Sequence, residues 1–230
     1  MKTIGLLGGM SWESTVTYYQ LLNRMTRERL GGLHSAKCLL WSFDFDDIAK
    51  AQADGAWQKA TNLMIDAARN LERGGAECLV ICTNTMHKMA ADVQAAIGIP
   101  LIHIADTTAP AIKAAGSKAP LLLATAYTME QDFYKGHLFD HHGIDVRIPE
   151  AEDRKEVHRI IYDELCQGDI KESSKKAYLD VVGRAVTSGA DGVIFGCTEI
   201  GLLVSEADFE IPCFNTTALH AEAALDFALS

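Results

Sequence analysis

The sequence has no long apolar run and no excess of basic residues. No stretch reaches the ~18 apolar residues of a membrane-spanning helix, and segment 1–9 is too short and too rich in glycine for a secretory signal. The 21 Lys and Arg residues are outnumbered by 31 Asp and Glu residues, which gives a formal net charge of −10. Nucleic-acid binding requires a basic surface. We therefore expect a cytoplasmic protein with no nucleic-acid or membrane partner.

Paired cysteines and cofactor motifs are also missing. The six cysteines form no CxxC pair, so reduced thiols are expected. They are Cys38, Cys78, Cys82, Cys166, Cys197 and Cys213. We interpret all but Cys197 as small core residues. Gly8-Gly9 does not complete a GxGxxG fingerprint, and His141-His142 has no Cys or Glu at ligand spacing. We expect no cofactor and no metal.

What the sequence does contain is a regular alternation of short apolar segments with longer segments of helical period. Helices are predicted over 12–30, 57–73 and 85–96, and the strands include 3–7 and 146–148. This alternation, with fully apolar strands, predicts a parallel sheet with helices on both faces. About eight strands are expected, four in each half. A single eight-stranded barrel is the competing arrangement, but 230 residues is short for it.

Two segments of the chain resemble each other. Residues 75–85 (GAECLVICTNT) and 189–199 (GADGVIFGCTE) both contain a small-residue turn, an acidic residue, an apolar run and a polar cluster. Aligned without gaps, Thr83 falls on Cys197. A repeat at a long fixed offset indicates duplicated architecture. The two copies differ in chemistry, because a thiol can become a base near neutral pH and an aliphatic hydroxyl cannot.

We therefore predict two pseudosymmetric Rossmann-like halves, each a mainly parallel four-stranded sheet flanked by helices. The first α/β domain would comprise residues 1–105 and 213–230, and the second residues 106–212. In open α/β sheets, ligands bind at the carboxyl ends of the strands. The residues that follow each strand are therefore the candidates for a site.

Three clusters of hydroxyl, amide, thiol and acidic side chains follow predicted strands. They are Thr83, Asn84 and Thr85; Thr125, Tyr127 and Thr128; and Cys197, Thr198 and Glu199. Helix N-termini at these places favour an anion such as a carboxylate. They are also expected to lower the pKa of Cys197 from ~8.5. The alternative is that the Ser, Thr and Asn residues are only N-caps.

These motifs, together with the opening Gly-Gly-Met-Ser-Trp at 8–12, resemble the aspartate/glutamate racemase family over the whole chain. The resemblance implies a cofactor-independent enzyme, commonly a homodimer, with its active site in the cleft between two α/β domains. It also implies general acid–base catalysis by two cysteines on opposite sides of the substrate Cα. Cys197 matches one of these cysteines, and Thr83 stands at the position of the other.

This departure predicts stereochemically biased racemisation, with Cys197 as the thiolate base and Thr83 donating weakly or holding a water. Cys82 does not substitute, because side chains alternate along a strand. In a second departure, Cys166 stands where members acting on acidic substrates tend to have a basic residue. Specificity for aspartate or glutamate is thus not secured, and a neutral or hydroxylated amino acid is the alternative. The expected substrate-binding residues are Met10, Gln52, Asn84, Thr85, Thr125, Tyr127, Thr128, Thr198 and Glu199.

Two other functions are compatible with the same residues. A single-cysteine relative on this fold could decarboxylate a malonate-like acid and protonate the resulting enediolate. A protein without catalysis could instead bind small carboxylates. Loss of the Cα proton from an amino acid in D₂O separates the racemase from both.

Overall fold

The computed structural model describes residues 1–230 and consists of two compact units. Unit 1 comprises residues 1–103 and 220–230, and unit 2 comprises residues 104–219. The α/β fold class is confirmed, whereas the domain limits expected from the sequence stay a prediction. Every helix is too short or too polar for a membrane span.

Unit 1 alternates strands and helices along the chain. Its strands are β1 (Ile4–Gly8), β2 (Cys38–Ser42), β3 (Cys78–Ile81) and β4 (Leu101–Ile102). Its helices are α1 (Trp12–Leu30), α2 (Phe45–Ala53), α3 (Trp57–Arg73) and α4 (Ala90–Ala95), with a 3₁₀ turn at Thr85–Met89 before α4. The last helix, α11 (Thr216–Leu229), begins in unit 2 and ends in unit 1. The helices predicted over 12–30 and 57–73 are confirmed.

The helix predicted over 85–96 begins instead as the 3₁₀ turn. The cause is a side chain that competes for a backbone acceptor: Nδ1 of His87 lies 2.8 Å from the carbonyl oxygen of Thr83. The backbone N–H of His87 donates to the carbonyl of Asn84, three residues back, at 3.0 Å. The chain is therefore wound more tightly at its first turn than an α-helix.

The sheet of unit 1 is parallel throughout, in the order β2-β1-β3-β4. Alternate residues of β3 enter different apolar clusters, Leu79 and Ile81 on one face and Cys78 and Val80 on the other. Helix α3 packs on the first face, and α1 and α11 pack on the second. Burial on both faces explains why the strand is apolar along its whole length.

Unit 2 contains more helix than strand. Its strands are β5 (Leu121–Leu123), β6 (Val193–Phe195) and β7 (Cys213–Asn215), which form a parallel sheet in that order. Its helices are α5 (Ile104–Ala114), α6 (Ala126–Glu130), α7 (Asp132–His142), α8 (Ala151–Asp163), α9 (Glu172–Thr187) and α10 (Ile200–Leu203). One apolar cluster fills the unit.

The second sheet has three strands where four were expected. Of the predicted strand 146–148, only Arg147 pairs with β5, through an isolated bridge to Leu121. The following Pro149 has no backbone N–H and cannot extend the pairing. The Arg147 guanidinium turns to the carbonyl of Ser188, 2.6 Å away.

The sequence repeat corresponds to a repeated turn before the central strand of each unit. Gly75 and Gly189 have φ angles of 97° and 95°, in the region that favours glycine. The carboxylate of Glu77 accepts the backbone N–H of Thr3, just before β1, at 2.7 Å. Asp191 accepts two backbone N–H groups just before β5, at 2.7 and 3.0 Å. In both copies the acidic residue ties the entry of its own strand to the entry of a neighbouring strand.

Candidate active site

The chain turns tightly after β1 and then begins α1. Gly9 has a φ of 80°, and a Cβ there would lie 2.4 Å from backbone atoms of Phe43, so only glycine fits. Ser11 caps α1 by accepting the N–H of Ser14 at 3.4 Å. The Ser14 hydroxyl donates to the carbonyl of Cys82 at 2.9 Å. The turn is thereby fixed to the end of β3.

Thr83, Asn84 and Thr85 lie directly beyond β3. Thr83 is half-buried, whereas Asn84 and Thr85 are 2% and 5% exposed. Asn84 occupies the N-cap position of the 3₁₀ turn, but its side chain makes no capping bond. Capping alone therefore does not account for this residue. Cys82 is buried in an apolar cluster, and burial raises the pKa of its thiol, as expected for a core residue.

A group of imidazole rings in unit 1 packs around His87. The ring centroids of His103 and His220 lie 4.8 and 5.6 Å from that of His87. Because a carbonyl only accepts, His87 must donate from Nδ1 to Thr83. His220 donates from Nε2 to a backbone carbonyl of β4 at 2.7 Å and accepts the Tyr18 hydroxyl at 2.8 Å. Burial lowers the pKa of His220 to about 4, so it is neutral at pH 7.

Met10 and Gln52 are packed side chains of unit 1. Both are 5% exposed. Met10 belongs to the same apolar cluster as Leu7 and Ile48. Gln52, on α2, donates from Nε2 to the sulfur of Met86 at 3.2 Å. Their contact with a substrate stays a prediction.

A buried group of thiol, hydroxyl and carboxylate side chains lies at the carboxyl end of β6. Cys197, Thr198 and Glu199 are 9%, 7% and 3% exposed. The Sγ of Cys197 donates to Oε2 of Glu199 at 2.9 Å. Burial and the negative charge of Glu199 raise the pKa of the Cys197 thiol well above its ordinary value.

The expected lowering of this pKa by a helix N-terminus is therefore wrong. The helix that follows, α10, has only four residues and so little dipole. Desolvation opposes the thiolate, and the carboxylate that accepts the hydrogen bond favours the neutral thiol. At rest, Cys197 is a neutral thiol hydrogen-bonded to Glu199.

Cys166 lies against the same carboxylate, with its Sγ 3.9 Å from Oε1 of Glu199. It belongs to a 3₁₀ turn, Leu165–Gln167, next to the buried Glu164, which accepts a 2.9 Å bond from Arg159. Interpreting Cys166 as only a core residue is thus incomplete. The 33 residues that separate it from Glu199 explain why local spacing gave no sign of the contact.

The third predicted cluster follows β5. Thr125 caps α6 by accepting the N–H of Thr128, and the two hydroxyls lie 3.2 Å apart. The N–H of Ala126 donates to Nδ1 of His158, whose ring meets Tyr127 edge-on at 5.7 Å. Helix capping, the alternative to substrate binding, therefore accounts for the position of Thr125. His158 is a neighbour that was not expected from the sequence.

Within each unit the structure brings predicted residues together. Because Leu123 of β5 pairs with Phe195 of β6, the clusters at 125–128 and 197–199 start at the same edge of the unit 2 sheet. In unit 1, residues 83–85 form the matching group after β3. His87, expected from the sequence to lie a turn into its helix, follows Thr83 at the four-residue spacing of a helical turn, so its contact with Thr83 had a signal in the sequence.

Comparison with known proteins shows the family. The Asp/Glu/hydantoin racemase family matches residues 7–224. The crystal structure of a candidate Asp/Glu racemase from Yersinia pestis is 54% identical, covers all of both chains and superposes with a TM-score of 0.92. That of an aspartate racemase homologue from Pyrococcus horikoshii OT3 is 32% identical, again over all of both chains, with a TM-score of 0.86.

A curated relative extends this similarity. The broad specificity amino-acid racemase RacX of Bacillus subtilis is 22% identical over 237 residues, which cover 99% of this chain and 98% of RacX. The matches run through both units and include every cluster described above. The chain therefore belongs to the Asp/Glu/hydantoin racemase family and is an isomerase that racemises amino acids.

Proposed function

We propose that the protein racemises amino acids without a cofactor, with Cys197 as the base that removes the Cα proton. The observation that carries the proposal is the 2.9 Å contact between the buried Cys197 thiol and the Glu199 carboxylate. A thiol whose pKa is raised needs a partner to take its proton before it can act. Glu199 is already hydrogen-bonded to that proton.

Each proton in this proposal has an origin and a destination. The Cys197 proton moves to Glu199, and the thiolate then takes the Cα proton and becomes a thiol again. The carbanion receives a proton on its other face from the Thr83 hydroxyl or a water that this hydroxyl holds. Solvent restores the proton of Thr83 and removes the proton of Glu199.

The proposed bias follows from the different acidities of the two groups. A threonine hydroxyl is not ionised near neutral pH, so only the enantiomer that presents its Cα proton to Cys197 is deprotonated readily. Because two enantiomers have equal free energies in water, the enzyme cannot favour one at equilibrium. The bias must instead appear in the rates. One enantiomer should exchange its Cα proton with solvent while it keeps its configuration, and this exchange should be faster than its inversion.

We propose that the substrate carboxylate is bound by Asn84, Thr85, Thr125 and Thr128. The other residues proposed to contact the substrate are Met10, Gln52, Tyr127 and Thr198. Gln52 and Cys166 carry no positive charge, and Cys166 is turned to Glu199. We therefore propose that neutral and hydroxylated side chains are accepted.

Incubation in D₂O with a panel of L- and D-amino acids tests this function. One enantiomer should lose its Cα proton signal in NMR about tenfold or more faster than chiral chromatography records inversion. Absence of exchange with every amino acid would contradict the proposal. Release of carbon dioxide from malonate-like acids, without amino-acid exchange, would select the decarboxylase. Binding of carboxylates with neither reaction would select the binding protein.

Glu199→Gln separates the two effects that Glu199 has on the thiol. Removing the charge should lower the pKa of Cys197, because the carboxylate raises it, yet Cα exchange should fall by ~10²-fold or more since the proton acceptor is lost. Alkylation of the Cys197 peptide, followed by mass spectrometry against pH, measures the pKa. Glu172→Gln, on the exposed start of α9, is the matched control. Exchange at the unmodified rate in Glu199→Gln would remove Glu199 from the mechanism.

We also propose a cytoplasmic homodimer. None of the six cysteines forms a disulfide, as suits a reducing compartment. Helix α1 exposes Trp12, Val16 and Tyr19 on one face, 65%, 42% and 55% accessible, and such apolar faces commonly mark subunit contacts. Light scattering in solution reports the assembly.

A further inference from the structure

We propose that unit 2 carries a binding site for a late first-row divalent cation, of the Zn²⁺ and Ni²⁺ class, formed by Asp106, His137 and His142. The Nε2 atoms of both histidines lie 2.7 Å from one oxygen, Oδ1 of Asp106. The aspartate is in the first turn of α5, and both histidines are on α7. None of the three belongs to the residues proposed for racemisation.

Two of the three distances between the proposed ligand atoms are already close to those of a metal site. Zinc binds imidazole nitrogen and carboxylate oxygen at ~2.0–2.2 Å, so neighbouring ligand atoms in a tetrahedral shell lie roughly 3.3 Å apart. Each of the two nitrogen–oxygen pairs, now at the 2.7 Å of a hydrogen bond, would lengthen by about half an ångström as the ion takes the place of the shared proton. The side chains have room to do so, since those of His137, His142 and Asp106 are 21%, 20% and 48% exposed.

The ligand types select the class of ion. Imidazole nitrogen suits zinc, nickel, copper and cobalt, whereas magnesium and calcium require mostly oxygen ligands. A neutral imidazole can present its Nε2 lone pair by carrying its proton on Nδ1, so binding requires no redox step. Water molecules of the incoming ion would complete the shell.

Two features of α7 reinforce the site. The helix ends at His142, with Gly143 in the left-handed conformation, and a cation near a helix C-terminus is favoured by the helix dipole. His141 lies one turn from His137, with ring centroids 4.3 Å apart, and supplies a further imidazole nearby. A bound ion would cross-link α5 to α7.

No spacing in the sequence predicts this site. His141-His142 has no Cys or Glu at ligand spacing, and the aspartate that completes the set is 31 and 36 residues from the two histidines. Only the packing of α5 against α7 brings them together.

Calorimetric titration of the metal-free protein with NiCl₂, and separately with ZnCl₂, tests the proposal. One ion should bind with a Kd on the order of micromolar, and thermal unfolding should shift to higher temperature. His137→Gln, His142→Gln and Asp106→Asn should each weaken binding at least about tenfold. His34→Gln, at an exposed histidine of unit 1, is the matched control and should bind as the unmodified protein does.

The absorption spectrum of bound Co²⁺ distinguishes binding at this site from binding at the cysteine thiols. Nitrogen and oxygen ligands give Co²⁺ visible absorption without the intense ultraviolet charge-transfer band of thiolate ligands. That band, or equal affinity in all four variants, would place the ion elsewhere and overturn the proposal. So would the absence of binding, which would leave Asp106 as only a hydrogen-bonded link between the helices. Racemisation is not needed as a readout, so these outcomes are independent of the proposed catalytic function.

Discussion

Replacing Cys197 by serine should reduce Cα proton exchange by ~10³-fold or more, the largest effect expected of any single substitution in this chain. Serine keeps the size and the hydrogen bond to Glu199, but its hydroxyl is not ionised near neutral pH. The change therefore removes the base and leaves the surrounding packing in place. NMR in D₂O, with the enantiomer that exchanges fastest in the unmodified protein, measures the loss.

A matched substitution separates this loss from damage to the fold. Cys213→Ser changes a half-buried cysteine on β7 of the same unit and should leave exchange unaltered. Both variants should retain the far-ultraviolet circular dichroism of the unmodified protein. Because the introduced serine hydroxyl keeps the hydrogen bond to Glu199 and could act as a weak base, Cys197→Ala is the stricter variant. Exchange within threefold of the unmodified rate in folded Cys197→Ala would refute the role of the thiol.

Replacing Thr83 by cysteine should raise the rate of inversion by ~10²-fold or more, because a thiol can both accept and donate a proton where threonine only donates weakly. The enantiomer that exchanges slowly in the unmodified protein should begin to exchange readily. The substitution is close in volume, so it should cost less than ~1.5 kcal/mol of stability. Chiral chromatography starting from each pure enantiomer gives the inversion rates, and NMR in D₂O gives exchange.

A buried threonine outside the proposed site provides the control for this gain. Thr61→Cys introduces the same thiol on α3 of the same unit. It should not change the ratio of exchange to inversion. If Thr83→Cys left inversion unaltered, or if both variants raised it equally, the assignment of Thr83 to the second catalytic position would fail.

The sequence predicted most of the fold because its signals are local. The apolar strands, the glycines that end helices and the repeated turns at Gly75 and Gly189 each act over a few residues. The strand expected at 146–148 was one exception, because Pro149 limits its pairing to one bridge. The predicted number of strands in unit 2 was therefore wrong by one, because a single residue without a backbone N–H prevents this strand from pairing beyond that bridge.

The site was predictable by position but not by environment. Cys197 and Glu199 lie just beyond the carboxyl end of β6, and the thiol donates to the carboxylate; their role in catalysis stays a prediction. The pKa of the Cys197 thiol is raised, whereas a lowering was expected from the sequence. Burial and the orientation of the Glu199 carboxylate decide this direction, and both depend on packing rather than on spacing. Contacts such as that of Cys166 with Glu199 join residues far apart in the chain. The periodicity of apolar residues along the chain does not predict such pairs.

The path of the chain through the two units also bears on biosynthesis. Unit 2 is a single continuous segment, 104–219, inserted between the two parts of unit 1. Unit 1 takes Ala221, Ala224, Leu225 and Ala228 into the cluster beneath β1 and β3. During synthesis unit 2 can fold as soon as it emerges from the ribosome, whereas the first hundred residues must wait with an open apolar face until α11 arrives. The nascent chain is thus most vulnerable to aggregation through its earliest part.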